Sequence, residues 1–295
     1  MADCKKIGPC TLYHARMEDI IPSLQFDHIF TDPPYLYIKT HDFDKEFDEA
    51  LLFENARRIL PDNGFIALFG RGTSFYRWNT RLAELGFIFK EEIVWDKRIP
   101  SSLTTALSRV HETVSLHTRK NGKMRYSKIP YVEQKQFDLN TISNDIKRIY
   151  GAINSEKGLK DIIEFMETGI VKSGKRHNIH SVTNREGFSC HDRASGTLRS
   201  IRDGMKEKTI VSVFPVHRGM VHPTEKPVRL AERIIALISD PGDTIYDPFM
   251  GSGSFGVACI KTGRKYIGSE ILHDFFETSI SRVKQAAMEN CLWPA

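Results

Sequence analysis

Between Phe26 and Thr118, short apolar runs alternate with helix-like stretches. Phe26–Phe30, Phe65–Phe69 and Phe87–Trp95 predict strands, and the stretches near Asp48–Leu60 and Ser74–Leu85 predict helices. Pro61-Asp62-Asn63-Gly64 and Leu85-Gly86 supply the helix stops. Val110 to His117 alternates with a period of two, so a further strand is predicted before Arg119-Lys120-Asn121-Gly122-Lys123 breaks the pattern. Repeated strand–helix–strand units imply a parallel sheet with right-handed crossovers.

The periodicity weakens from Asn121 to Ile210, where Leu159 to Met166 reads as one amphipathic helix with Ile162, Ile163, Phe165 and Met166 partly buried. An insertion of this length is tolerable because loop closure costs only ~0.6 kcal/mol per doubling of length. Regular patterning resumes at Lys226-Pro227. It predicts a helix over Val228–Ser239 stopped by Asp240-Pro241-Gly242, a strand over Thr244–Tyr246, a helix over Ser254–Lys261, a strand over Lys265–Ser269 and a helix over Asp274–Met288. The expected fold is therefore α/β, a Rossmann-like doubly wound, mostly parallel sheet. It is divided into a half over residues 1–120, an insertion over 121–210 and a half over 211–295.

Charge sharpens that division. The net charge of +5 is modest for 295 residues, yet Asn121 to Ile210 holds 17 Lys and Arg against 11 Asp and Glu, while the rest of the chain holds 25 against 26. The basic excess lies in the insertion. The five cysteines, Cys4, Cys10, Cys190, Cys259 and Cys291, show no close pairing, which argues for reduced thiols and a cytoplasmic location. No stretch approaches the ~20 apolar residues of a membrane span, and Met1 to Lys6 lacks the apolar core of a secretory signal.

Two turns carry the candidate chemistry, each placing an acid at the carboxyl end of a predicted strand, where open α/β sheets bind ligands. In the second, Asp247-Pro248-Phe249-Met250-Gly251-Ser252-Gly253, the glycines permit a tight turn and close backbone approach at a helix amino terminus. Glu270, at the end of the next predicted strand, is placed to accept hydrogen bonds from ribose hydroxyls, which suits NAD and S-adenosylmethionine equally. Asp247 and Pro248 separate the two. A carboxylate facing the loop disfavours a pyrophosphate and suits a ligand carrying an ammonium group, so S-adenosylmethionine is the expected cofactor. A dinucleotide, or a structural turn that binds nothing, is the remaining reading. Phe249, inside the turn, is expected to touch the cofactor.

The first turn, Thr31-Asp32-Pro33-Pro34-Tyr35, suits methylation of an exocyclic amine on a nucleobase, whose lone pair is delocalised into the ring. Asp32 can accept one N–H of such an amine and the Pro33 carbonyl the other, stabilising the charge that develops on transfer. Pro33 and Pro34 fix φ and so prearrange the acceptors. Tyr35 offers a face on which an extruded base can stack, worth roughly 1–3 kcal/mol. Extrusion is required because a paired amine cannot reach a donor held in a protein pocket. No metal is called for.

Together these residues resemble the amino-methylating DNA methyltransferases, in the permuted group whose Asp-Pro-Pro-Tyr turn precedes the cofactor loop. The resemblance covers roughly residues 10–120 and 214–285. It implies a catalytic half at 1–120, a cofactor-binding half at 211–295 and a target-recognition region at 121–210. It also implies that Val221-His222-Pro223-Thr224-Glu225-Lys226-Pro227 contacts the methionine end of the cofactor, with Thr224 and Lys226 as the candidates. The implied activity is N6-adenine methylation of double-stranded DNA by base flipping, of the kind found in restriction-modification. N4-cytosine methylation and a DNA-binding relative without catalysis are the alternatives. A homodimer is compatible with this. One departure stands out: where the family often has Gly-Asp after the first strand, Ala15-Arg16 follows Leu12-Tyr13-His14.

Arg185, Arg193, Arg199 and Arg202 are candidate phosphate contacts in the basic insertion. His177, His180, Cys190 and His191 fit no compact zinc-ligand spacing. Phe43, Phe47 and Phe53 are expected to pack in the core.

Overall fold

The chain begins with a hairpin that its apolar pattern does not announce. In the computed structural model, which describes residues 3–35, 45–100, 106–171, 193–216 and 225–292, β1 (Asp3–Ile7) pairs antiparallel with β2 (Cys10–His14). Ile7 opposes Cys10, so the loop is the two residues Gly8-Pro9, with Gly8 at φ +53°. A positive φ at the first central position matches the twist of paired strands. Four of the five β1 residues are exposed, which is why no buried face marks the strand.

After the short helix α1 (Met17–Ile20) and a 3₁₀ turn at Ile21–Ser23 come β3 (His28–Thr31), α2 (Glu49–Ile59), β4 (Phe65–Gly70), α3 (Gly72–Glu84), β5 (Ile88–Asp96) and β6 (His111–Thr118). Asp48 caps α2 by accepting from the Leu51 amide. The next stretch holds β7 (Lys128–Ile129), α4 (Tyr131–Gln134), α5 (Leu139–Ile153), α6 (Glu156–Thr168), α7 (Arg193–Asp203) and β8 (Met205–Lys206). The chain closes with β9 (Ile210–Ser212), α8 (Val228–Ile238), β10 (Thr244–Asp247), α9 (Ser254–Lys261), β11 (Lys265–Glu270) and α10 (His273–Leu292). These elements form two compact units, residues 1–126 with 208–295, and residues 127–207.

The first unit holds a nine-stranded sheet in the order β1-β2-β11-β10-β3-β4-β6-β5-β9. Its five strands from β2 to β4 are mutually parallel. The expectation of parallel pairing fails at β6, which runs antiparallel to both β4 and β5. Successive strands β5 and β6 pair directly, so the chain reverses between them, and β6 takes the place beside β4.

Side chains of the central strands divide by alternation into two cores. Phe65, Ala67 and Phe69 of β4, with Phe30 of β3 and Ile245 of β10, join the apolar residues of α8, α9 and α10. Ile66, Leu68, Ile29 and Tyr246 instead join those of α2 and α3. Helices thus cover both faces, and all six residues of β4 are buried. From β10 the chain crosses by α9 to β11 on one side; from β3 it crosses by α2 to β4 on the other. The crevice at the carboxyl ends of β3 and β10 is therefore a topological switch point, where such sheets receive ligands.

The second unit is mainly helical, with β7 and β8 forming a two-stranded ribbon. Of its helices only α6 overlaps a predicted one, and α4, α5 and α7 are additions. Local signals were present: Asp138 caps α5, Ser155 caps α6, and Gly169 ends α6 at φ +72°. The apolar residues of α5 are largely outside the core, with Leu139, Ile146, Tyr150 and Ile153 exposed. Its core is small, built from Ile129, Tyr131, Ile162, Phe165 and Ala194.

Candidate active site

Both acidic turns open onto one cavity of about 290 Å³ in the first unit. Asp32, Pro33, Pro34 and Tyr35 line it beside Asp247, Pro248, Phe249, Gly251 and Glu270. Adjacent parallel pairing of β3 and β10, with Tyr246 opposite Ile29, brings the two turns to the same sheet edge.

The glycine turn is built by backbone conformations that side chains resist. Gly251 has φ +49° and Gly253 φ +77°. A Cβ at Gly253 would also lie 2.9 Å from Ser279 Cβ, so α10 crosses too closely for any other residue. Glu270 accepts from the Gly251 amide at 3.0 Å and the Leu272 amide at 2.8 Å, tying the turn to the end of β11. Arg282 of α10 braces the far side, donating to the Ser252 carbonyl at 3.0 Å and pairing with the buried Glu225 at 2.6 Å.

Asp247 is almost wholly buried and accepts from the Phe249 amide at 3.2 Å and Tyr266 Oη at 3.1 Å. Burial pushes its carboxyl up to about 8, with those two hydrogen bonds opposing. Burial also raises Glu270, against the backbone amides it accepts from. Phe249 is half-buried, with its ring edge-on to Phe47 at 4.7 Å between centroids. Phe53 is in the core as expected, whereas Phe47 packs against the core and also lines the cavity. Arg16, within the departure at Ala15-Arg16, and Glu18 just after it also line the cavity.

At the other turn, Asp32 Oδ1 accepts from Tyr35 Oη, and Asp32 Oδ2 is paired with Lys226 Nζ. The family resemblance implies a cofactor contact for Lys226; in the structure its ammonium is held by Asp32 and by Glu112 Oε2 at 3.4 Å. Glu112 in turn accepts from Lys97 Nζ at 3.0 Å. Burial raises the Asp32 carboxyl, Lys226 pulls against it and Glu112 adds to it. Burial alone would lower Lys226, but Asp32 and Glu112 outweigh it and the ammonium is held well above its ordinary value. For Glu112 burial again acts upward, yet Lys226 and Lys97 prevail and keep it below the usual glutamate value. Tyr35 is raised by burial and by Asp32, so it stays a hydroxyl donor; its ring lies 6.2 Å from that of Trp78.

Glu112, Lys97, Glu225 and Arg282 were not anticipated. Glu112 carries a visible signal, an acid near the start of a strand whose last five residues are buried, but nothing local says which sheet edge it reaches. Thr224, Arg185, His177, His180, Cys190, His191 and Phe43 lie outside the described residues. Arg193 opens α7, and Arg199 on the same helix is exposed. Arg202 is held by Asp203 through two contacts at 2.6 and 3.1 Å and lies 4.9 Å over the Phe165 ring. Cys4, Cys10 and Cys259 are free thiols. Among the described residues no helix is long and apolar enough to cross a membrane.

A glycine turn and an acidic turn meeting at the switch point of a doubly wound sheet define a nucleotide-type α/β transferase site. The family model for N6/N4 DNA methylases matches residues 26–281, and the chain belongs to that DNA methylase family. The Type II methyltransferase M2.LlaDCHI of Lactococcus lactis subsp. cremoris is 25% identical over 293 residues, covering 92% of this chain and 86% of that one. The DNA adenine methyltransferase YhdJ of Escherichia coli K12 is 44% identical over 66 residues, 22% of each chain. Among solved structures, the M1.HpyAVI–SAM complex matches with a TM-score of 0.56 and 22% identity, covering 92% of this chain and 99% of that one.

Proposed function

We propose that this chain transfers a methyl group from S-adenosylmethionine to the N6 amine of an adenine flipped out of double-stranded DNA. The observation that carries the proposal is the shared cavity, in which the Asp32 turn and the Gly251 turn face one space. The residues present fit the cofactor: Asp247 offers a buried carboxyl for its ammonium, Glu270 for ribose hydroxyls, and Phe249 and Met250 an apolar wall. When bound, S-adenosylmethionine supplies a methyl on a positively charged sulfur, an already activated leaving group.

The chain's own part is to hold the amine and receive its developing charge. Asp32 accepts one N–H, and the Pro33 carbonyl accepts the other, which localises the nitrogen lone pair; the surplus proton of the methylated amine then leaves through Asp32 or water. Tyr35 stands beside the incoming base. Positioning of the two partners can supply on the order of 7–11 kcal/mol of the barrier. The unit of residues 127–207 is assigned to DNA recognition, supported by its 14 Lys and Arg against 11 Asp and Glu. Arg199 is its exposed candidate for phosphate contact.

The test is incubation of the protein with duplex DNA and methyl-labelled cofactor, followed by mass spectrometry of the nucleosides. N6-methyladenine is expected. N4-methylcytosine in its place would overturn the choice of base, and salt-sensitive DNA binding without incorporation would identify a relative that has lost catalysis.

A further inference from the structure

Asp32 sits in a turn, yet the reaction requires its oxygens to be held to within fractions of an ångström. What holds it comes from three other places in the sheet. Lys97 follows the end of β5, Glu112 lies at the start of β6, and Lys226 stands ahead of α8. Lys97, Glu112, Lys226 and Asp32 form a line of alternating charge that ends at Tyr35, with side-chain exposures of 11%, 18%, 6% and 17% for the four charged members. A buried set of this kind gains little stability over well-packed apolar residues of similar volume, so stability alone does not account for it. Each carboxylate oxygen has more than one acceptor site. Tyr35 and Lys226 engage one on each oxygen of Asp32 and leave capacity for an amine.

We propose that Glu112 is a positioning residue for methyl transfer: it anchors the Lys226 ammonium, which with Tyr35 fixes the Asp32 carboxylate toward the base. This rests on the role given to Asp32 above. Lys97 holds the other oxygen of Glu112, so the anchor is itself fixed. Further charged groups around this set include Asp247 from β10, whose carboxyl Asp32 repels, Arg109 ahead of β6, which acts on Tyr35, and Lys45, Arg71 and Glu225 in the cavity lining.

The test follows the titration of the Asp32 carboxyl by carbon NMR in protein labelled at aspartate, with Asp32→Asn assigning the signal. Lys226→Gln should move that titration to higher pH. Glu112→Gln acts on it in two opposed ways, removing a like charge and releasing Lys226, so its deciding reading is kinetic. If Glu112→Gln does not fold, Glu112→Asp, which keeps the charge and shortens the reach to Lys226, gives the reading instead, with an upward shift of Asp32 expected. An Asp32 titration that coincides with wild type in folded Lys226→Gln, or a wild-type kcat in the folded Glu112 variant, overturns the proposal, since a role confined to packing predicts those results. In kinetics, Glu112→Gln should lower kcat on the order of 10²-fold with the KM for cofactor unchanged. A wild-type protein that methylates nothing overturns the proposed function, while the titrations of Lys226→Gln and Glu112→Asp still decide whether Lys226 and Glu112 govern Asp32.

Discussion

In the unit of residues 1–126 and 208–295, burial lifts the carboxyls of Asp32, Asp247 and Glu270 above their ordinary values, Asp247 to about 8. In the unit of residues 127–207 burial also acts to raise Asp145, but Lys135, Tyr131 and Arg148 outweigh it and hold it low. Asp145 has Lys135, Arg148 and Tyr131 Oη each at 2.7 Å. Three partners on one carboxylate serve the fold. Asp32, Asp247 and Glu270 are under-compensated by comparison, which is what a site does when its full complement of charge arrives with ligands. One unit stores electrostatic cost at a strand edge, and the other relieves it.

The most severe break in that contrast is Asp32→Ala. Transfer should fall by on the order of 10³-fold or more, with cofactor binding largely kept, as measured by labelled-methyl incorporation beside calorimetric binding. Next is Gly253→Val, which must adopt φ +77° against Ser279. The left-handed conformation alone costs ~1–2 kcal/mol, so cofactor affinity should drop about tenfold or more. Retention of wild-type affinity would remove the turn from the binding site. In the helical unit, Asp145→Ala leaves two cations and a buried hydroxyl unpaired, and should destabilise by about 1–3 kcal/mol in denaturant unfolding without touching cofactor affinity.

The pH response sharpens the same contrast. Asp247 is raised in the folded state, so between its ordinary value of 3.8 and about 8 the unfolded chain has released the proton that the folded chain keeps. Stability of that unit should therefore decline as pH rises through this window, and Asp247→Asn should flatten the decline. Asp145 is lowered, so its contribution is present above the unfolded value and fades as pH falls. Hydrogen exchange across pH, resolved by peptide, reads both trends. A cationic ligand favours ionised Asp247, so binding should release protons near neutral pH, visible as a heat that varies with buffer.

The smallest effect is expected on the basic face. Arg199→Ala should reduce the salt slope of DNA binding by about 0.9, the value for one phosphate contact, and Arg202→Ala by less, because Asp203 already neutralises that guanidinium.

Much of the sheet is readable from local pattern. Runs such as Phe65–Phe69 are buried on both faces, and a strand buried on both faces reads as a near-continuous apolar run. The glycine turn was legible for a related reason: Gly251 and Gly253 occupy conformations that few other residues accept, so composition and conformation are locked together. In the helical unit the link is weaker. α5 carries a helical stripe of Leu139, Ile142, Ile146, Ile149, Tyr150 and Ile153 that its sequence does show, but most of that stripe is exposed, so its burial did not follow from the pattern.

By itself the sequence determined the two acidic turns, the strands that carry them, the helices flanking them and the basic character of the stretch between. Each of these is set by interactions within a few residues: backbone conformation, apolar spacing, a cap or a proline. Only the tertiary structure decided that β6 runs antiparallel between β4 and β5, and that choice puts the beginning of β6 at the edge where the parallel strands end. Glu112 arrives at Asp32 and Lys226 for that reason. Strand direction depends on pairing between segments far apart in the chain, and a residue's own neighbours carry no record of it.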